Sequence, residues 1–221
     1  MKFEILNPVY TVVGSCDDKD PATGPVQSYG PLNATVGSSA DGNSLADSIC
    51  LTPTKLSVNA TAQTAKSTAS ATANAKAMAR STLVVSYSLL ERLFGAIGWF
   101  KPELAMQVVV SLNANVNDGP CGAGFTVFIG NGPNGANPVP AWQGLYSFSQ
   151  KAGDPTQLEV TRPGGIVETM PNPGLIRDWP DGPTITVSEG RYDLTFEINA
   201  VATADGRVSL RQQSELALYK P

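Results

Sequence analysis

The sequence predicts an all-β, jelly-roll-like antiparallel β-sandwich with an extended N-terminal arm. Beyond residue 100 the chain breaks into short apolar runs separated by Gly, Pro and Asn, as paired strands joined by turns do. From Ala69 to Leu89 the residues alternate with a period of two, which suits a strand. No helical pattern stands out elsewhere.

Taken in order, residues 1–13 alternate loosely through Phe3, Ile5, Val9, Thr11 and Val13 and read as a strand interrupted by Pro8. Residues 16–43 carry turn formers at nearly every step and read as loop. A structureless stretch of that length is unusual inside a domain, so residues 1–50 are expected to form a strand and loop-rich arm. Residues 51–221 then form the sandwich domain.

The segment SVNATAQTAKSTASATANAKAMARSTLVVSYSLL puts Ala69, Ala71, Ala73, Ala75, Ala77 and Ala79 on one parity. Leu83, Val85, Tyr87 and Leu89 continue that register. An Ala-rich helix over residues 62–80 is the competing reading, since Ala65, Ala69, Ala73 and Ala77 lie four apart. Thr, Ser and Asn crowd the segment and favour the strand. Such a small-residue face lets another sheet, or another subunit, approach closely. Downstream, LAMQVVVSLNANV, FTVFIGNG, LYSFSQ, QLEVTR, GGIVETM, TITVSE, YDLTFEINAVATA and VSLRQQSELALYK read as strands.

Composition narrows the function. The chain carries no histidine, which removes the commonest general base and metal ligand and excludes Ser-His-Asp and Cys-His chemistry. Glu159, Glu168 and Glu197 show no pairing that would mark a glycosidase, so the chain reads as non-enzymatic. A formal net charge of −4 with no Lys/Arg cluster speaks against nucleic acid as a partner. Charged residues make up only 15%, below the usual share of about 25%; Thr, Ser, Asn and Gln must supply the polar surface. No run reaches the 18 or so apolar residues of a membrane helix, and MKFEILNPVYTVVG, with Lys, Glu and Pro, does not read as a secretory signal.

The run LERLFGAIGWFKPE concentrates Leu93, Phe94, Ile97, Trp99 and Phe100 in a connection between two expected strands. Three roles fit it: a cap over the sandwich end, a subunit contact, or a membrane-touching tip. LFGAIGW resembles the Gly/apolar leader of viral class I fusion peptides, which would imply the third. Trp142, Tyr146 and Trp179 lie on or near Gly/Pro-rich loops and are candidates for stacking on a glycan, or for plugging the sandwich end. No cofactor is expected; calcium is the one metal that acidic loops suggest, with Asp17, Asp18 and Asp20 as the first candidate set. Cys16 with Cys50 is the pair that would staple the N-terminal region, with free buried thiols as the alternative.

The alternating alanine strand ending in Tyr87, together with SEGRYDLTFEINAVATADGRVSL near the C-terminus, resembles exported bacterial β-sandwich proteins of the PEP-CTERM-tailed kind. That resemblance implies a cell-envelope setting and offers no catalytic residues; the family's signal peptide and anchoring tail are not among these residues. The expected function is a structural subunit of a virion, surface layer or filament, outside or on the surface of a cell. Its expected partners are copies of itself or other assembly subunits. The alternatives are a carbohydrate-binding module and a membrane-contacting protein, with the membrane the less expected partner.

Overall fold

The computed structural model describes residues 2–16, 26–28, 32–38, 42–52, 55–64, 72–96, 103–130, 139–178, 181–186, 188–203 and 205–219. Along the chain run β1 (Lys2–Cys16), β2 (Val26–Ser28), β3 (Leu32–Ser38), β4 (Gly42–Thr52), β5 (Lys55–Thr64) and β6 (Thr72–Ser86), then the helix α1 (Leu89–Ala96). There follow β7 (Glu103–Asp118), β8 (Cys121–Gly130), β9 (Val139–Lys151), β10 (Asp154–Arg162) and β11 (Ile166–Pro171). The last four are β12 (Gly174–Asp178), β13 (Asp181–Thr186), β14 (Gly190–Thr203) and β15 (Asp205–Tyr219).

Among the described residues these strands form two antiparallel sheets. The first runs β11-β10-β9-β8-β14-β6-β1-β2, the second β12-β7-β15-β5-β4-β3, with β13 also paired to β7. The sheets pack face to face, β14 over β5, β6 over β4 and β5, and β1 over β3 and β4. The chain is therefore an all-β sandwich. The disputed alanine segment is strand from Thr72 onward, and its buried–exposed alternation carries through all of β6.

Residues 1–50, expected as an arm, supply β1 and β2 to one sheet and β3 and β4 to the other. The stretch read as loop, residues 16–43, thus contains β2 and β3 and leads directly into β4: β3 pairs β4 from Leu32↔Cys50 to Ser38↔Ser44, and β4 pairs β5 along its length. Turn formers give a local signal only. Small polar residues enter a ladder when neighbouring strands offer partners on both sides. Pro8 does interrupt β1, where the pairing to β6 shifts between Leu6 and Val9 and Asn7 takes φ 51°. A bulge is where a strand tolerates proline.

The core explains the alanines. Interior rows run across the first sheet as Tyr10–Ala79–Phe196–Val127 and Val12–Ala77–Ile198–Phe125. The alanine column on β6 is thus flanked by large side chains from β1 and β14, and every member of both rows is at most 3% exposed. Toward one end the rows turn small throughout, Gly14–Ala75–Ala200–Ala123 and then Ala73–Ala202. Ala60 and Ala62 of β5 and Ala114 of β7 are also buried. Since cores are close-packed, the two sheets must converge there. Gly206 of β15 shows the consequence, because any Cβ there would overlap Cys121 Sγ of β8. The small face is covered by the second sheet of the same chain.

Candidate functional site

Two places combine geometry with chemistry: α1, and the seam where β9 to β11 meet β12.

α1 occupies part of the segment expected to be an irregular connection. Its start is written in Ser88-Leu-Leu-Glu91, a capping box. The Glu91 amide donates to Ser88 Oγ at 3.4 Å, and Glu91 Oε2 accepts from the Ser88 amide and hydroxyl, each at 2.9 Å. That signal is local and is present in the sequence itself. Arg92 anchors the helix by donating to Glu189 Oε1 at 2.6 Å, and the same carboxylate oxygen accepts the Tyr87 amide at 3.3 Å. The guanidinium beside it, and then the Tyr87 amide, hold the Glu189 carboxyl below its ordinary range.

No residue of α1 is buried. Leu89, Leu90, Leu93 and Phe94 expose 75, 65, 58 and 44% of their surface. Leu89, Leu90, Leu93 and Phe94 have the i, i+1, i+4, i+5 spacing that gathers side chains on one face of a helix. The helix is pinned at its start and presents an apolar face outward. Of the five apolar residues singled out in the sequence, Leu93 and Phe94 lie on this face; Ile97, Trp99 and Phe100 lie outside the described residues.

The seam is built around Arg162, at the end of β10. Its Nε donates to Glu168 Oε1 of β11 at 2.5 Å, and its NH1 donates to Asp178 Oδ1 of β12. Tyr146 of β9 donates its hydroxyl to Asp178 Oδ2 at 2.8 Å. Asp178 belongs to the second sheet and the other three to the first, so the cluster ties the layers together at the β9–β12 side. Asn172 adds a second tie, donating to the carbonyls of Val116 and Pro155 at 2.7 and 3.2 Å and accepting the Val116 amide at 3.2 Å. Pro163, Gly164 and Gly165 turn the chain between β10 and β11; Gly164 and Gly165 have φ of 86° and 77°, which glycine adopts without steric cost.

Tyr146 therefore is no stacking platform. Its ring is 3% exposed, and its hydroxyl is spent on Asp178. Burial, and then the Asp178 hydrogen bond, push its phenol well above the ordinary value of 10.0. Tyr87 is pushed up to about 12 by burial and by the nearby Tyr192, Glu189 and Glu91 charges. Both phenols hold their protons more tightly folded than unfolded. Their stabilising contribution is complete below pH about 10 and is lost as the pH rises above it. A phenolate absorbance titration should show Tyr146 ionising only as the protein unfolds, and Tyr146→Phe should flatten the alkaline loss of stability. An unchanged alkaline profile in that variant would count against the seam as drawn.

Trp142 lies in β9, its backbone opposite Val127, with its side chain outside the described residues, as are Trp179, Asp17, Asp18 and Asp20. Among the described residues no group of three or more His, Cys, Asp or Glu is placed to hold a metal. Cys16 pairs with Ala73 in the first sheet, and Cys50 with Leu56 and Leu32 in the second; the side chains of both lie outside the described residues. Cys121 is a buried free thiol, its pKa raised by desolvation. Of the carboxylates weighed for catalysis, Glu168 is held by Arg162, and Glu197 by Lys76 at 2.8 Å. Among the described residues no helix is long and apolar enough to cross a membrane. No family model matches the chain, and no curated protein matches it.

Proposed function

We propose that the protein is a non-enzymatic structural subunit that associates with copies of itself through the apolar face of α1, in an assembly such as a surface layer, filament or virion. One observation carries this reading: a capped, anchored helix leaves Leu89, Leu90, Leu93 and Phe94 exposed beside a sandwich whose core is buried between its own two sheets. Apolar side chains gathered and held outward in this way mark contact surfaces. A second copy offers the same patch, which is the geometry of a two-fold contact. The lack of histidine supports the non-enzymatic part. The N-terminal strands pair within the chain's own sheets, so α1 is the element on which self-association rests.

Light scattering over a wide concentration range tests this. The wild-type mass should rise above the 23.1 kDa of one chain. Leu93→Ser with Phe94→Ser should weaken association about a hundredfold, because two apolar side chains returned to water cost roughly 3 kcal/mol or more. Both positions are exposed, so the thermal unfolding of the variant should match wild type. A monomer at every concentration, or association indifferent to the double substitution, would overturn the reading. Vesicle co-sedimentation of the wild-type monomer, lost in the double variant, would turn α1 into a membrane contact instead.

A further inference from the structure

The outer face of the first sheet carries a groove of about 570 Å³ that runs from the β1 bulge across β6 and β14 to β8. Its volume falls within the range of small-ligand sites, roughly 300–1,000 Å³. The strand register sets its chemistry. Arg80 on β6 stands opposite Thr195 on β14, which stands opposite Phe128 on β8. One row over, Met78 faces Glu197; on the other side, Thr82 faces Asp193. Glu197 and Asp193 thus occupy the two diagonal positions from Arg80, whose backbone spacing is about 7–8 Å.

Arg80 is exposed and makes no ion pair with either; the bridge on this face joins Lys76 to Glu197 at 2.8 Å. Among the described residues nothing takes up the Arg80 donors, which come in a rigid planar fork; the flanking Glu197 and Asp193 carboxylates have partners of their own and keep further lone pairs for a ligand. Met78, Val9 and Phe128 line the same groove with apolar surface.

We propose that this groove binds a neutral saccharide. A sugar ring offers hydroxyls that both donate to carboxylates and accept from a guanidinium, and a C–H face that lies on apolar and aromatic side chains. The local charge fits a neutral ligand. The charged residues lining the groove are Arg80, Asp193 and Glu197, one cation to two carboxylates, so a phosphate or sulfate is disfavoured there. Carbohydrate binding is the alternative reading of the sequence, on Trp142, Tyr146 and Trp179; Tyr146 is buried, and the groove on this face is a separate place. The inference does not rest on α1.

Methyl-labelled methionine gives a local readout, since the chain has four methionines: Met78 lines the groove, while Met170 packs against the core away from it. Cellohexaose, maltohexaose, xylohexaose and chitohexaose are titrated separately into the labelled Leu93→Ser, Phe94→Ser protein, so that self-association does not enter. At least one should move the Met78 signal to saturation and leave Met170 in place. Arg80→Ala and Glu197→Gln should each weaken that response about tenfold or more, the effect of losing a hydrogen bond to a charged group, with Met170 reporting an intact fold. The proposal is overturned if none of the four moves Met78, if Arg80→Ala binds like its parent, or if only a sulfated hexasaccharide binds.

Discussion

Phe196→Ala is expected to lower the stability of the protein by about 3–5 kcal/mol, the cost of truncating a fully buried aromatic ring. Phe196 is 0% exposed and sits at the middle of β14, with Ala79 on one side and Val127 on the other. Neither neighbour is large enough to fill the space. The truncation therefore loses both the transfer free energy of the ring and the contacts of its lining. Denaturant unfolding should show the loss as a lower midpoint with an unchanged slope. Leu145→Ala is the matched control: Leu145, on β9, is 68% exposed, and its truncation should fall within about 0.5 kcal/mol of wild type. A Phe196→Ala loss no larger than that of the control would mean that the sheets do not pack as described.

Ala77→Leu is expected to destabilise by the opposite route, at about 3 kcal/mol or above, the upper part of the range for overpacking. Val12 and Ile198 flank Ala77 in its row, and all three are 0% exposed. The added carbons meet a close-packed interior and can be accommodated only by prising the sheets apart. Met78→Leu, one residue on and on the outer face, keeps the volume and should cost less than about 1.5 kcal/mol. Should Ala77→Leu prove neutral, the alanine column would not be the closely covered surface that the register implies.

These two substitutions mark where sequence and structure divide the explanation. The period-two alternation from Ala73 to Val85 is legible as a strand, because β geometry sends successive side chains to opposite faces. The strands after residue 103 were legible for the same reason, although β12 was missed because GLIRD is too short to show its alternation. The start of α1 was equally local. Ser88 and Glu91 bond across three residues, so the capping box could be read without any tertiary knowledge, and the apolar richness of the segment drew attention from it.

Other features depend on partners far away in the chain. β2 and β3 look like loop until β1 and β4 offer them ladders. Tyr146 looks like a loop aromatic until Asp178, from the other sheet, takes its hydroxyl. Arg80, Asp193 and Phe128 come from three strands and share no local pattern; only the register of β6 against β14 and β8 lays them side by side. The sequence by itself determined what is set by spacing along one strand or one helical turn: the all-β class, the alternating alanine face, the lack of histidine chemistry and the apolar run that became α1. The tertiary structure alone decided which small face the second sheet covers, which carboxylates hold Arg162, and which outward side chains line a common groove. The physical reason is that hydrogen-bonded pairing and close packing select partners by geometry across long separations, and no single segment carries that choice.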